Sequence, residues 1–240
     1  MLAKPDTRWG AFAIHLAISG IIFVVLAAII VLVWYPGFLF RTDGGWQGIR
    51  LIAGIDLILG PLLTLIVYNR AKKSLPFDLA VIGAIQVSAL AVGCWLVYQE
   101  RPIAVIYADN TFSTMSRNSF AFNDIEPDSI ALLAGQKKPV WIYVQDIVGF
   151  PGETKLQTFK RLGPPHLRTQ KYQSLDENMD ALFASGLSEV EGYEKPEQES
   201  LRFYRLQGRY FEGYLAFHPN KGLVDTIITN PTNYDGIQEG

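Results

Sequence analysis

Three long apolar runs occupy the first hundred residues of the chain, and none follows them. Between Arg8 and Arg41 no residue is charged, and the run from Trp9 to Tyr35 exceeds the ~20 residues a helix needs to cross a bilayer. A second run, Ile49–Tyr68, is interrupted only by Arg50 at its edge and Asp56 inside; a third, Phe77–Tyr98, is uncharged after Asp78. The pattern predicts three transmembrane helices, at about 9–35, 49–68 and 77–98. A cleaved signal has a shorter apolar stretch of about 7–15 residues, so the first run is expected to remain as an anchor. Trp9, Trp34, Tyr35, Trp46, Tyr68, Phe77, Trp95 and Tyr98 cluster at the run ends, where amphipathic rings favour the membrane interface. Between the first two runs, Pro36-Gly37 and Asp43-Gly44-Gly45 read as a short re-entry turn.

After Tyr98 the period changes. Short β-branched and aromatic runs at 102–108 and 139–144 are bounded by proline, as strands are. Residues 202–207 and 209–218 flank Gly208 and predict a hairpin, with 223–229 as a further strand. Segments 153–162 and 174–186 read as helices, the second with Ser174 as its cap and Gly186 as its stop. Residues 189–200 are expected as an acidic loop and 230–240 as a tail. The fold class expected is thus a three-helix transmembrane module, residues 1–98, followed by a small exported α+β domain, residues 99–240.

Charge adds orientation. Residues 1–98 carry seven Lys or Arg against four acids, a net of +3, whereas residues 99–240 carry fourteen against nineteen, a net of −5. Lys4, Arg8, Arg70, Lys72 and Lys73 fall on one side of a three-span topology, which the positive-inside rule makes cytoplasmic. The N-terminus is then inside and the second domain outside. That domain is acidic, which excludes a nucleic-acid role requiring a clustered positive field. Cys94 is the single cysteine, so no intrachain disulfide forms. His15, His166 and His218 lack companions at metal spacing. The acids Asp124/Glu126/Asp128 and Asp176/Glu177/Asp180 lack the spacing of a calcium loop and read as caps and solvated surface. No nucleophile elbow, CxxC, phosphate loop or HExxH occurs, so neither catalysis, a metal nor a cofactor is expected.

The second run holds the candidate site. Ala53, Asp56, Gly60 and Thr64 recur at steps of three and four, placing them on one helix face, with Pro61 at its margin. Small, polar faces let helices approach and bond across the interface. On the third run Ala80, Ala84 and Ser88 form a matching stripe, and Gln86 and Ser88 lie near the depth of Asp56, while His15 is expected nearer the cytoplasmic surface. Pro61 removes the donor for the carbonyl of Leu57 and bends the helix. An intramembrane acid is costly and commonly functional. Two readings follow: the face is closed by the bundle's own third span, or it receives another transmembrane helix or a proton.

The order "WYPGFLF…GGWQGIRLIAGIDLILGPLLTLIVYN…KKSLPFDLAVIGAIQ…WLVYQERPIAVIY", Trp34 to Tyr107, resembles the TfpX/TfpZ-type type IV pilin accessory proteins. The resemblance covers about residues 9–107 and gives no residue roles in the second domain. It implies a bacterial inner-membrane protein, with a periplasmic C-terminal domain, that chaperones the major pilin during pilus assembly. On that reading Ala53, Asp56, Gly60, Pro61 and Thr64 dock the pilin's transmembrane helix, Gln86 and Ser88 support them, and the exported domain meets the pilin head, with lipid as the other contact. The alternative is a small transport or proton-relay subunit using Asp56.

Overall fold

The computed structural model describes residues 5–127, 130, 139–145, 152–190 and 200–231. Asp128, most of the acidic loop expected at 189–200 and the tail beyond Pro231 lie outside the described residues. The chain forms two compact units, one of Met1–Phe40 with Gly44–Gln99, the other of Arg41–Asp43 with Glu100–Gly240.

Three long apolar helices build the first unit: α1 (Arg8–Trp34), α2 (Gly45–Val67) and α3 (Leu75–Gln99). All three are long and apolar enough to span a membrane. α1 starts at Thr7, whose hydroxyl accepts the Gly10 N–H at 3.0 Å and so satisfies one of the orphan donors of the first turn. α2 starts four residues before the apolar run, because the left-handed turn at Gly44 (φ 107°) sets its beginning. Within α2, Gly54–Leu59 widens to a π-helical turn in which the Gly60 N–H reaches the carbonyl of Ile55. The ordinary α register resumes at Gly60-Pro61. At one end of the bundle Ile30, Tyr35, Ile52 and Val97 pack together, and the Tyr35 hydroxyl donates to the Val97 carbonyl at 2.9 Å.

The turn expected between the first two spans does more than reverse the chain. Leu39–Thr42 is a helical turn, and Arg41–Asp43 groups with the second unit. The Thr42 carbonyl accepts the Tyr210 N–H at 2.8 Å there, and Asp43 is buried.

The second unit is a seven-stranded mixed sheet in the order β4-β3-β1-β2-β5-β6-β7. Its strands are β1 (Pro102–Ala108), β2 (Thr111–Ser116), β3 (Val140–Val144), β4 (Tyr172–Ser174), β5 (Arg202–Gln207), β6 (Phe211–His218) and β7 (Gly222–Pro231). β1 runs parallel to β3 and β2 parallel to β5, whereas the other neighbours are antiparallel. β1 lies at the sheet's interior and is buried along its whole length, the signature of a strand covered on both faces. One face packs Ala104, Ile106, Met115 and Ile142 against Phe120 of α4 (Arg117–Phe122). The other carries an aromatic cluster in which Phe112 contacts Tyr107, Trp141, Tyr204 and Phe217. Tyr204 donates to the Leu182 carbonyl at 2.8 Å, tying α6 (Met179–Ser185) to that face. α5 (Lys155–Leu162) carries a capping box made by Thr154 and Gln157.

The strands expected at 102–108, 139–144, 202–207, 209–218 and 223–229 are present, with the hairpin turning at Gly208. β2 and β4 were not expected. Asp109 and Asn110, both at positive φ, make a two-residue turn from β1 into β2. Ser174 does not cap a helix: it ends β4, and α6 begins at Met179 after a 3-10 turn at Asp176–Asn178. Asn178 reaches back to the Ser174 carbonyl at 2.8 Å and holds that corner.

Candidate functional site

Asp56 lies eleven residues from each end of α2, about 16 Å along the helix axis and therefore at its midpoint. The residue is 1 % exposed, and four polar side chains from the three helices join it in one cluster. The Ser19 hydroxyl of α1 donates to Asp56 Oδ1 at 2.9 Å, and Gln86 Nε2 of α3 donates to the same oxygen at 2.6 Å and to Ser19 Oγ at 3.3 Å. His15 of α1 lies with Nε2 2.8 Å from Gln86 Oε1 and Nδ1 2.6 Å from Thr64 Oγ1. The result is one connected chain, Thr64–His15–Gln86–Asp56, with Ser19 at its far end.

The chemistry of each group fixes the hydrogen-bond directions. An amide N–H donates and an amide oxygen only accepts, so Gln86 presents its nitrogen to the carboxyl and its oxygen to His15. His15 Nε2 therefore carries a hydrogen. Asp56 Oδ2 is buried and has no partner among the described residues. In the widened register at Gly54–Leu59, the donor for the Asp56 carbonyl would come from residue 61, which is proline and has none. Pro61 thus withholds a donor from the Asp56 carbonyl in the widened register, as it does from that of Leu57 in the α register.

The local sequence makes this packing possible. Gly60 sits against Gln86 so closely that any Cβ would overlap the carboxamide. Gly60, Pro61 and Thr64 are all buried in the bundle, Ala53 is half-buried, and Thr64 is 4 % exposed. The structure brings Asp56, Gly60, Thr64 and Gln86 together. It does not bring in Ser88, which is exposed on the outside of α3 with Ala80 and Ala84, while α3 buries Ile82, Gln86, Gly93 and Val97. The stripe of small residues expected to face Asp56 thus faces away from the bundle. His15, expected at another depth, joins through the length of the Gln86 side chain. Ser19 gave no signal beyond being a lone hydroxyl in an apolar run.

The second unit has a cleft of about 980 Å³ along β2, walled by α4, by the loop at Pro164–Leu167 and by the β5–β6 turn. Its lining is rich in hydroxyls and amides, including Ser113, Thr114, Asn118 and Gln207, and Phe122 on its wall is 90 % exposed. Arg209 pairs with Glu100, which also accepts from Asn118 at 2.8 Å. Asp43 takes hydrogen bonds from Thr114 and from Thr42, the latter at 2.5 Å. Burial pushes the Asp43 carboxyl above the ordinary carboxylate range, against the pull of these hydroxyls and of Arg209. Burial likewise holds the His166 imidazole below its usual value.

Comparison with known proteins gives three relatives, all from Dichelobacter nodosus: fimbrial assembly proteins of serogroup E1, of serogroups C1 and C2, and of serogroup I. Each is 33 % identical over 114 residues, 47 % of this chain. The match covers 87 % of the serogroup C1 and C2 protein. The chain spans less than half the length of the other two, at 44 %. No protein-family profile and no solved structure matches the chain.

Proposed function

The chain belongs to the fimbrial assembly protein family, and from that premise we propose that it is a non-enzymatic, pilin-specific assembly factor of a type IV pilus. The carrying observation is the 33 % identity over 87 % of the serogroup C1 and C2 fimbrial assembly protein. In this reading the three apolar helices hold the protein in the bacterial inner membrane, with the N-terminus cytoplasmic and the sheet domain periplasmic. The major pilin is the partner, chaperoned between membrane insertion and incorporation into the filament.

Two surfaces suit such a partner. The Asp56 face is filled by α1 and α3, so a pilin helix reaches it only by displacing α1. The outward stripe Ala80, Ala84, Ser88 lets a second helix approach closely from the lipid side. In the second unit the cleft beside Phe122 offers polar main-chain and side-chain groups to the exported part of the subunit.

Photo-crosslinking residues placed at Ala84, Thr64 and Phe122 in the full chain test the reading in piliated cells. Adducts with the major pilin from Ala84 and Phe122, with none from Thr64, are the expected pattern. Adducts from Thr64 instead would restore the Asp56 face as the docking surface. A protein that co-purifies with no pilin, and whose deletion leaves piliation unchanged, would end the proposal.

A further inference from the structure

We infer that the cleft of the second unit receives the uncharged, membrane-proximal stretch of a partner itself anchored in the bilayer, the first residues that partner exposes beyond its own transmembrane helix. That the partner is a pilin rests on the assembly reading above; the level and the chemistry of the site do not. Chain connectivity sets the level. Asp43 and Glu100 both line the cleft. Asp43 lies two residues before Gly45, where α2 begins, and Glu100 directly follows Gln99, where α3 ends. At ~3.3–3.6 Å per extended residue, Asp43 is within about 7 Å of the start of one span and Glu100 within about 4 Å of the end of another. These two ends fall on the same side of a three-span topology. The polar layer of a bilayer extends roughly 5–7 Å beyond the hydrocarbon core, so two residues of the cleft lie at or next to it. The sheet points the same way. Pro102, where β1 starts, pairs with Ser116 at the end of β2, and Ser113 is the last β2 residue paired with β5. Thr114, Met115 and Ser116 thus line the cleft at the end of the sheet where the chain arrives from α3. A segment rising out of the membrane passes this level first, whereas a part further out would have to fold back to reach it.

The lining selects against charge. Glu100 pairs with Arg209 and accepts from Asn118 at 2.8 Å. Asp43 accepts from Thr114, from Thr42 and from the Arg209 N–H at 3.4 Å. A charged ligand would have to take one of these groups from the partner it has. The cleft offers instead hydroxyls and primary amides, among them Ser113 and the exposed Asn118, Asn123 and Gln207. A hydroxyl donates and accepts, and an amide presents both a donor and an acceptor. That set matches main-chain N–H and C=O groups without demanding a particular sequence. Phe122, exposed on the wall, adds an apolar surface for one side chain. The volume, about 980 Å³, suits a run of residues rather than a single side chain.

Photo-crosslinking residues at Asn118 and Gln207 of the full chain in piliated cells, with the attachment point mapped by mass spectrometry, test the inference. Attachment is expected within about ten residues, ~15 Å of helix, of the outer end of the pilin's apolar run. Attachment confined to positions further out overturns the inferred level. Adducts with lipid alone make the cleft a headgroup site and overturn the polypeptide occupant. Silence at both positions beside pilin adducts from Ala84 overturns the inference and leaves the assembly reading standing. Silence at all three, with piliation unaffected by deletion of the protein, removes both. Gln207→Glu places a carboxylate on an exposed side chain of the cleft and is expected to cut the Asn118 adduct several-fold at an unchanged amount of inserted chain. An unchanged yield in that variant overturns the selection against charge.

Discussion

Replacing Gly60 with alanine inserts one methyl group where the Gln86 carboxamide now lies. The carboxamide must move, and it makes three of the cluster's hydrogen bonds, to His15, Ser19 and Asp56. Side-chain hydrogen bonds between membrane helices are worth about 0.6 kcal/mol on average, so losing three costs about 2 kcal/mol. Alanine in a helix interior recovers up to about 1 kcal/mol through its backbone propensity. Gly60→Ala is therefore expected to be destabilising by about 1 kcal/mol or more. Gly83→Ala is the matched control, since a Cβ at Gly83 meets nothing within 4 Å and only the propensity gain remains. The two substitutions are chemically identical and should move stability in opposite directions. Unfolding of the detergent-solubilised chain in increasing SDS, followed by circular dichroism, measures both. Removing the obstacle with Gln86→Ala should leave only the propensity gain at Gly60, so that Gly60→Ala then behaves as Gly83→Ala does, a coupling that a double-mutant cycle reads directly. If Gly60→Ala and Gly83→Ala shift the transition equally, Gln86 does not depend on the space at Gly60 and the packing argument fails.

Two further outcomes concern the second unit. The folded state holds a proton on Asp43 to higher pH than the unfolded chain does, so stability falls as pH rises from 3.8 through the raised value. Asp43→Asn is expected to abolish that slope in melting temperature while leaving the opposite, His166-linked rise in stability just below pH 6.5; an unchanged slope would mean that Asp43 does not titrate. Phe112→Ala empties a site with no solvent exposure among four aromatic rings and is expected to cost about 3–5 kcal/mol in urea unfolding monitored by tryptophan fluorescence. A loss under 1 kcal/mol would show that the cluster repacks.

The sheet domain was largely legible from its strand patterns. Alternation at Val140–Val144 and the continuous apolar run at Pro102–Ala108 report directly on which faces are covered. β2 escaped because its sequence, TFSTMS, places hydroxyls where a strand pattern shows apolar residues. Those hydroxyls serve the buried carboxyl of Asp43 and the start of α4, through Thr114 and Ser116. β4 is three residues long, too short for any period to emerge. The Asp109-Asn110 turn was the available signal for β2, as two residues tolerant of positive φ between strands. Asp43 was read as turn chemistry because nothing local distinguishes an aspartate that opens a reversal from one that is carried into another unit's core.

In the membrane unit the same reasoning inverts. Lipid is as apolar as a protein interior, so apolar periodicity carries no information about which side of a helix is covered. The small stripe Ala80, Ala84, Ser88 has the spacing of an interface, and it faces outward. Polar residues keep their meaning, because an unpaired hydrogen-bonding group in hydrocarbon is penalised wherever it points. Asp56, Thr64 and Gln86 were accordingly found on the inside, whereas Ser88, also expected there, is exposed on α3. Gly60 follows from them: it is small because Gln86 is long, and Gln86 is long because it spans from the level of Asp56 to that of His15. The acid and the kink are then parts of one arrangement. Pro61 and the widened turn before it free the Asp56 carbonyl, and Gly60 admits the amide that holds the carboxyl. Gln86 is also the side chain that joins Asp56 to His15.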